Sequence, residues 1–402
     1  MTGGLGVRLN GLAARALPML LLVWLLCVFF PSRALGNLAL GLSLLLFILL
    51  CVLDGESRRK VGGDPVFWAA GALFVVAYGV SVATGTLVSG WPTFYSYDGP
   101  GKALLIGVAL LVMKRAPVSF RGVLAGALGL LVVLNLFQLY YFLNSPIALR
   151  PESYPMDVFY RYRNFGAMQL VLAPFLAVAL FHTEKKWVRA ALVAWLALNC
   201  VLLASTGFRG AWLGFLVGLG VVAGWRRLLK ALPYFLMAGL ALFFVAASGS
   251  GDNLFFSALR RGASDNSRIA QVWHPTLLFL RDAFWLGHGF DPLAYTRVYQ
   301  EKWVDRGLGS VVMPGAHNMV LGFFFQAGLL GALAYVSLVG AVIVRLWRSW
   351  KRASVETAPV FLALLGSWLG AYGVLGQTDS VNWPCFAVLF PMTTFVLAKG
   401  GE

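Results

Sequence analysis

"HNMVLGFFFQAGLLGALAYVSLVGAVIVRLWRSWKR", residues 317–352, begins with two polar side chains, carries no charge until Arg345, and closes on a cluster of Arg and Lys. An apolar run of this length is what a helix needs to cross a hydrocarbon core of roughly 30 Å, which takes about 20 residues. A polar pair at the lip of such a helix is costly unless it has a task or a partner.

The same kind of run recurs along the chain. The 402 residues are 59% hydrophobic and only 12% charged, with a mean hydropathy of +0.78. A soluble domain of this size has too little interior to hide that much apolar surface. Backbone facing lipid must satisfy itself within one segment, so repeated runs of this length predict a polytopic all-α membrane protein. The period is wrong for a membrane barrel, which alternates every second residue. About 12 transmembrane helices are predicted, near 15–30, 34–53, 66–85, 100–113, 122–143, 165–182, 190–205, 211–225, 231–248, 317–346, 358–376 and 383–399. Residues 1–402 read as a single integral membrane domain, with a large loop at 249–316 between spans nine and ten. The first span is read as a retained helix, since no small-x-small cleavage site follows it.

Charge gives the orientation. Of the 32 Lys and Arg, 19 fall on the face that carries "ESRRK", "EKKWVR" and "RLWRSWKR", with 6 of the 16 Asp and Glu; the other face keeps 13 and 10. The positive-inside rule then puts both termini in the cytoplasm. The sequence pI near 10.0 therefore reports topology, and nucleic acid is not an expected partner. Cys27, Cys51, Cys200 and Cys385 are scattered through apolar spans without a CxxC, so neither a disulfide framework nor a zinc site is expected. The 45 glycines sit mostly inside spans, as in "GFLVGLG", where they allow close helix packing.

No GxxxxGK[ST] or strand–GxGxxG–helix pattern marks the cytoplasmic side, which directs attention to the outer face. There the segments 144–164, 206–210 and 249–316 stand out, the last being far too long for a plain connection. Within it, Ile269, Val272, Trp273, Thr276, Leu277, Leu280 and Phe284 recur at helical spacing, with Pro275 kinking or restarting the helix. Short amphipathic helices on the membrane surface are predicted. The outer arginines Arg161, Arg163, Arg209 and Arg268 run against the charge rule. Each alone is explained by snorkelling to headgroups, whereas several together suit bidentate recognition of phosphate. Arg161 and Arg163 share a side in an extended segment and part in a helix, and both remain open. His317 either caps or anchors the helix that follows, a task Asn318 does equally well, or acts as a base, since it titrates near neutrality. Continued as a helix, its face takes in positions 321, 324 and 328, all apolar or Gly. His182, His274 and His288 are read as structural or solvated, and no divalent-metal motif is present in the sequence.

Three of these loci together resemble the O-antigen ligase family, which includes the O-antigen polymerases. "STGFRGAWLG" is similar to the family's Ser/Thr-rich turn ending in Arg-Gly. The R-x-x-x-W…D-x-x-x-x-G-x-G signature is met by Arg268, Trp273 at near-spacing, Asp282, Gly287 and Gly289. H-N-x-x-L-x-x-x-x-E-x-G-x-x-G is met by His317, Asn318, Leu321, Gly328 and Gly331. Phe208, Phe284 and Gln326 depart from the pattern, Gln326 replacing an acid. The resemblance implies a multi-helix, GT-C-like glycosyltransferase of the bacterial inner membrane, with its active site facing the periplasm. Its partners would be an undecaprenyl-pyrophosphate-linked glycan donor and a lipid A core acceptor, among membrane lipids. It further implies His317 as base, with Arg268 and Arg209 catalytic. Arg161, Arg163, Arg209 and Arg268 would bind pyrophosphate, with Asn318 and Asp282 in support. No cofactor or metal is called for. Two rivals are an O-antigen polymerase using the same donor, and a lipid-linked glycan transporter or flippase. The latter is expected to carry mid-membrane charges and repeated halves, which the spans lack.

Overall fold

The computed structural model describes residues 120–144, 156–206, 208–224, 268–289, 293–309 and 312–378, with isolated helical positions between 16 and 84 and between 388 and 397. All regular structure among the described residues is helical. Among the described residues five helices are long and apolar enough to cross a membrane, so the chain is a multi-pass membrane protein. The helices are α1 (Phe120–Asn144), α2 (Met156–His182), α3 (Lys186–Ser205) and α4 (Arg209–Ala223). A π turn, Ile269–Trp273, leads into α5 (His274–Leu280), and α6 (Ala294–Tyr299) runs into a second, Gln300–Val304. Beyond them lie α7 (Met319–Arg352) and α8 (Ala358–Trp368), the latter extended through a π segment, Leu369–Leu375, to the turn α9 (Gly376–Thr378). The predicted spans near 122–143, 165–182, 190–205, 211–225, 317–346 and 358–376 all meet helices. Those at 100–113 and 231–248, most of the other four, and the total of twelve lie outside the described residues.

From Phe165 to His182 helix α2 is apolar on nearly every side, Gln169 apart, and a helix of that kind belongs in the middle of a bundle. Ala167, Met168, Leu170, Val171, Leu172 and Phe175 are accordingly inaccessible to solvent. Pro174 deprives α2 of an amide donor, and the Ser367 hydroxyl of α8 donates to the nearby Val171 carbonyl at 2.6 Å. Helix α3 leaves Trp187, Val193 and Val201 exposed and lies at the periphery of the described residues. Polar amides tie α1, α2 and α3 together. Gln169 Nε2 donates to Asn135 Oδ1 at 3.3 Å and Gln138 Nε2 to the Leu202 carbonyl at 2.8 Å. Such interhelical bonds contribute about 0.6 kcal/mol each in membranes.

The spacing of glycines on α4 and α8 decides how these two helices meet. Gly214 and Gly218 repeat every four residues, as do Gly366 and Gly370. A Cβ on Gly370 would lie 2.4 Å from the Gly214 carbonyl oxygen, and one on Gly366 would lie 2.7 Å from that of Gly218. The helices therefore touch backbone to backbone and run antiparallel. That contact carries the N-terminus of α4 to the far end of α8, where Thr378 lies against Gly210.

Helix α7 differs from the single span read at 317–346. It starts at Met319, ends at Arg352, and leaves helical geometry at Ala327 (φ −128°, ψ 19°) and Gly328 (φ 64°, ψ −158°). The break is filled by the loop after α5. His288 and Gly289 donate their amides to the carbonyls of Phe325 (2.7 Å) and Gln326 (3.0 Å), and Leu329 donates to the Phe284 carbonyl at 2.8 Å. Backbone groups freed by the break thus find partners in the loop, as an apolar surrounding requires. The helical face drawn from 317 through 328 consequently does not exist: position 317 precedes the helix and position 328 lies in the break.

The segment 268–309 folds over a small core of its own, with Phe279, Leu280, Tyr295, Tyr299, Ala316 and Phe325 buried together. Thr276 Oγ1 and Tyr295 Oη are 2.7 Å apart within it. The predicted stripe divides here. Val272, Thr276 and Leu280 face this core, while Ile269, Leu277 and Phe284 are exposed. A π turn precedes α5, Pro275 restarts the helix in its first turn, and the helix stops at Leu280. A uniform 3.6-residue period does not survive those changes.

Candidate active site

The first locus is the turn into α4. Thr206 Oγ1 donates to the Leu203 carbonyl at 2.7 Å and accepts the Phe208 amide at 3.2 Å. Thr206 is buried, and a Cβ on Gly166 would stand 3.1 Å from its hydroxyl. Phe208 is the N-cap residue without a side-chain cap; its ring is buried in the main core. The side-chain hydrogen bonds at this turn therefore come from Thr206, two residues before Phe208. Arg209 is the first residue of α4. A helix N-terminus already carries positive potential, so an arginine there is disfavoured by the dipole and suits an anion.

The second locus is Arg268, half-buried at the start of the first π turn. Its guanidinium donates to the main-chain carbonyl of Thr378. Carbonyls at a helix C-terminus lack intrahelical partners and carry negative potential, which is why a cation settles there.

The third is the pair before α7. Asn318 has extended geometry (φ −156°, ψ 127°) and caps the helix, Oδ1 accepting from the Leu321 amide at 3.0 Å. Its Nδ2 donates to the Gln377 carbonyl at 3.1 Å. Since Asn318 performs the cap, His317 does not. His317 has φ 47°, the one positive φ outside glycine among the described residues. His is among the few non-glycine types enriched there, and such a conformation costs on the order of 1–3 kcal/mol unless the surroundings impose it.

The three loci meet at Gly376–Thr378. Gly210 lies against the Thr378 side chain, Arg268 holds the Thr378 carbonyl, and Asn318 holds that of Gln377. These acceptors escaped sequence reading because backbone carbonyls leave no side-chain signal; only the end of an apolar run at "GQTDS" marks the place.

The remaining predicted residues lie elsewhere or are placed by backbone alone. Arg161 and Arg163 fall within α2, so the extended alternative does not apply. Residues two apart in a helix stand about 200° apart around its axis. Asp282 is exposed and pairs with Lys302, whose hydrogen bond and charge hold its carboxyl below the usual carboxylate range. His288 stacks on Phe325 with ring centroids 4.6 Å apart, and its Nε2 lies 3.0 Å from the Phe279 carbonyl. Burial holds its pKa below that of a free imidazole, consistent with a structural part. The ring of His274 meets Trp303 edge-on, and His182 Nδ1 lies 2.9 Å from the Val178 carbonyl.

Fold and site define a polytopic all-helical membrane protein in which Arg268 and the pair His317–Asn318 come together at Gly376–Thr378. Residues 191–336 match the family model described as O-antigen ligase, and this stretch holds Arg209, Arg268, Asp282 and His317. An O-antigen ligase of Salmonella typhimurium is 34% identical over 115 residues, 28% of this chain and 28% of that protein. An uncharacterised protein of Haemophilus influenzae is 23% identical over 285 residues, 65% of this chain and 68% of that one. The aligned stretch thus spans well under half of the Salmonella ligase. The resemblance drawn from three short motifs is matched by the family model across all three.

Proposed function

We propose that the protein is an O-antigen ligase, transferring O-antigen polysaccharide from undecaprenyl pyrophosphate to a sugar hydroxyl of the lipid A core. It would act on the periplasmic face of the inner membrane. The observation that carries this reading is the convergence of Arg268, Asn318 and the start of α4 on Gly376–Thr378, with His317 next to Asn318. In the transfer, the bond between the anomeric carbon and the pyrophosphate oxygen breaks as the acceptor oxygen attacks from the opposite face. His317 takes the acceptor's proton, a contribution of roughly 10²–10⁴ in rate. Departing pyrophosphate needs positive charge more than a proton, and Arg209 and Arg268 supply it, with Arg161 or Arg163 as a further ligand. A single displacement inverts the anomeric centre. The donor bond is already activated, so nucleotide and metal have no step to perform.

Purified protein, lipid-linked glycan and lipid A core, with EDTA and no nucleotide, should yield glycosylated core. Omitting the core separates this reading from a polymerase. A ligase then makes no product, whereas a polymerase lengthens the lipid-linked glycan.

A further inference from the structure

We propose that the turn Gly376–Thr378, outside the stretch matched to the family, is a positioning element for the transfer, fixing Arg209, Arg268 and His317 relative to one another. The inference rests on the ligase reading. Each of the three is held through its nearest backbone or its own side chain. Gly210, next to Arg209, packs on Thr378 so tightly that an added Cβ would stand 2.4 Å from Oγ1 and 3.0 Å from Leu375 Cδ1. Arg268 donates to the Thr378 carbonyl. Asn318, next to His317, donates to the Gln377 carbonyl at 3.1 Å. The turn is itself braced. Thr378 Oγ1 donates to the Leu375 carbonyl at 3.2 Å, Gln377 Nε2 to the Tyr372 carbonyl at 3.3 Å, and a Cβ on Gly376 would meet Tyr335 Oη at 3.2 Å and Met319 Cγ at 3.4 Å. Three segments distant in sequence therefore share one reference point, and a shift of that point moves a base and two cations together. Misplacement of reacting groups by about 1 Å costs on the order of 10²-fold in rate.

The test uses Gly210→Ala, Thr378→Ala, Thr378→Val and the two double variants in the full-length protein. All are assayed in the transfer reaction at a temperature where each is shown to be folded. Gly210→Ala inserts the methyl that Thr378 leaves no room for, and kcat should fall at least about tenfold while KM for the donor changes less than about threefold. Thr378→Ala keeps the carbonyl used by Arg268 but removes Oγ1 and Cγ2; alone it should lose a few-fold, because the Leu375 contact goes. Combined with Gly210→Ala it should recover most of the lost kcat, since the 2.4 Å clash is gone and the 3.0 Å approach to Leu375 Cδ1 needs only a small shift of a flexible side-chain end. Thr378→Val, which keeps the volume, should give no such recovery. Gly210→Ala at full kcat, or no recovery in the Gly210→Ala/Thr378→Ala protein, overturns the positioning role while the ligase reading stands. A wild-type protein that transfers no glycan overturns the ligase reading, and the positioning role falls with it.

Discussion

Gly328 and Trp285 are in backbone contact: a β-carbon on Gly328 would lie 2.2 Å from the Trp285 carbonyl oxygen and as close to its carbon. Gly328 also has φ 64°, where an L side chain is strained. Gly287 repeats the situation from the other side, its absent Cβ falling 2.5 Å from the Gln326 carbonyl carbon. Loop and helix break are therefore one construction, and glycines from two separate sequence motifs make it possible. Gly328→Ala should destabilise the protein by about 1–3 kcal/mol through overpacking, plus roughly 1–3 kcal/mol because φ 64° with ψ −158° is a backbone region open essentially only to glycine. Gly322, in the same helix with nothing within 4 Å of its added Cβ, is the control; alanine there should be neutral or mildly stabilising. Thermal unfolding in one detergent reads both.

That construction shows what the sequence disclosed and what it withheld. The apolar runs made the helices legible, since lipid tolerates little else. Arg209, Arg268 and His317 stood out in the sequence because polar groups beside apolar runs are conspicuous, and the structure brings Gly210, Arg268 and Asn318 to one turn. The break at Gln326–Gly328 was hidden, as its chain looks like any apolar span, and only the loop donors from His288 and Gly289 reveal why it persists. The turn at Gln377–Thr378 was hidden for a related reason: its acceptors are main-chain oxygens, identical for every residue type.

His317 separates backbone tolerance from chemistry. Asn is comfortable at φ 47°, whereas Ala at that φ carries a strain of roughly 1–2 kcal/mol. His317→Asn should therefore unfold a few degrees above His317→Ala, since both lose the ring and only alanine adds backbone strain. Both should lose transfer activity by roughly 10²–10⁴. His317→Gly, which accepts the backbone and leaves space for a ring, should regain part of its rate when imidazole is added. Equal loss in every variant with no response to imidazole would assign His317 a structural part only.

His288 predicts a pH dependence of stability. Its folded pKa lies below the free value of 6.5, chiefly because burial penalises the charged ring. Above about pH 6.5 both states are neutral and nothing is lost. As pH falls below that value the unfolded chain binds a proton that the folded ring refuses, so stability declines with falling pH. The decline ends once pH passes the depressed folded pKa. His288→Phe keeps a ring on Phe325 and should flatten this part of the profile, whatever its cost at neutral pH. An unchanged slope between pH 7 and 5 in that variant would remove His288 from the account.

The most direct test of the central claim is the initial rate of glycan transfer to lipid A core by wild type, His317→Ala and Arg268→Ala, in EDTA and without nucleotide. The account predicts transfer by the wild type, a loss of roughly 10²-fold or more in each variant, and no product without core. Transfer at the wild-type rate by either variant would contradict the role assigned to that residue, and absence of transfer by the wild type would contradict the function itself.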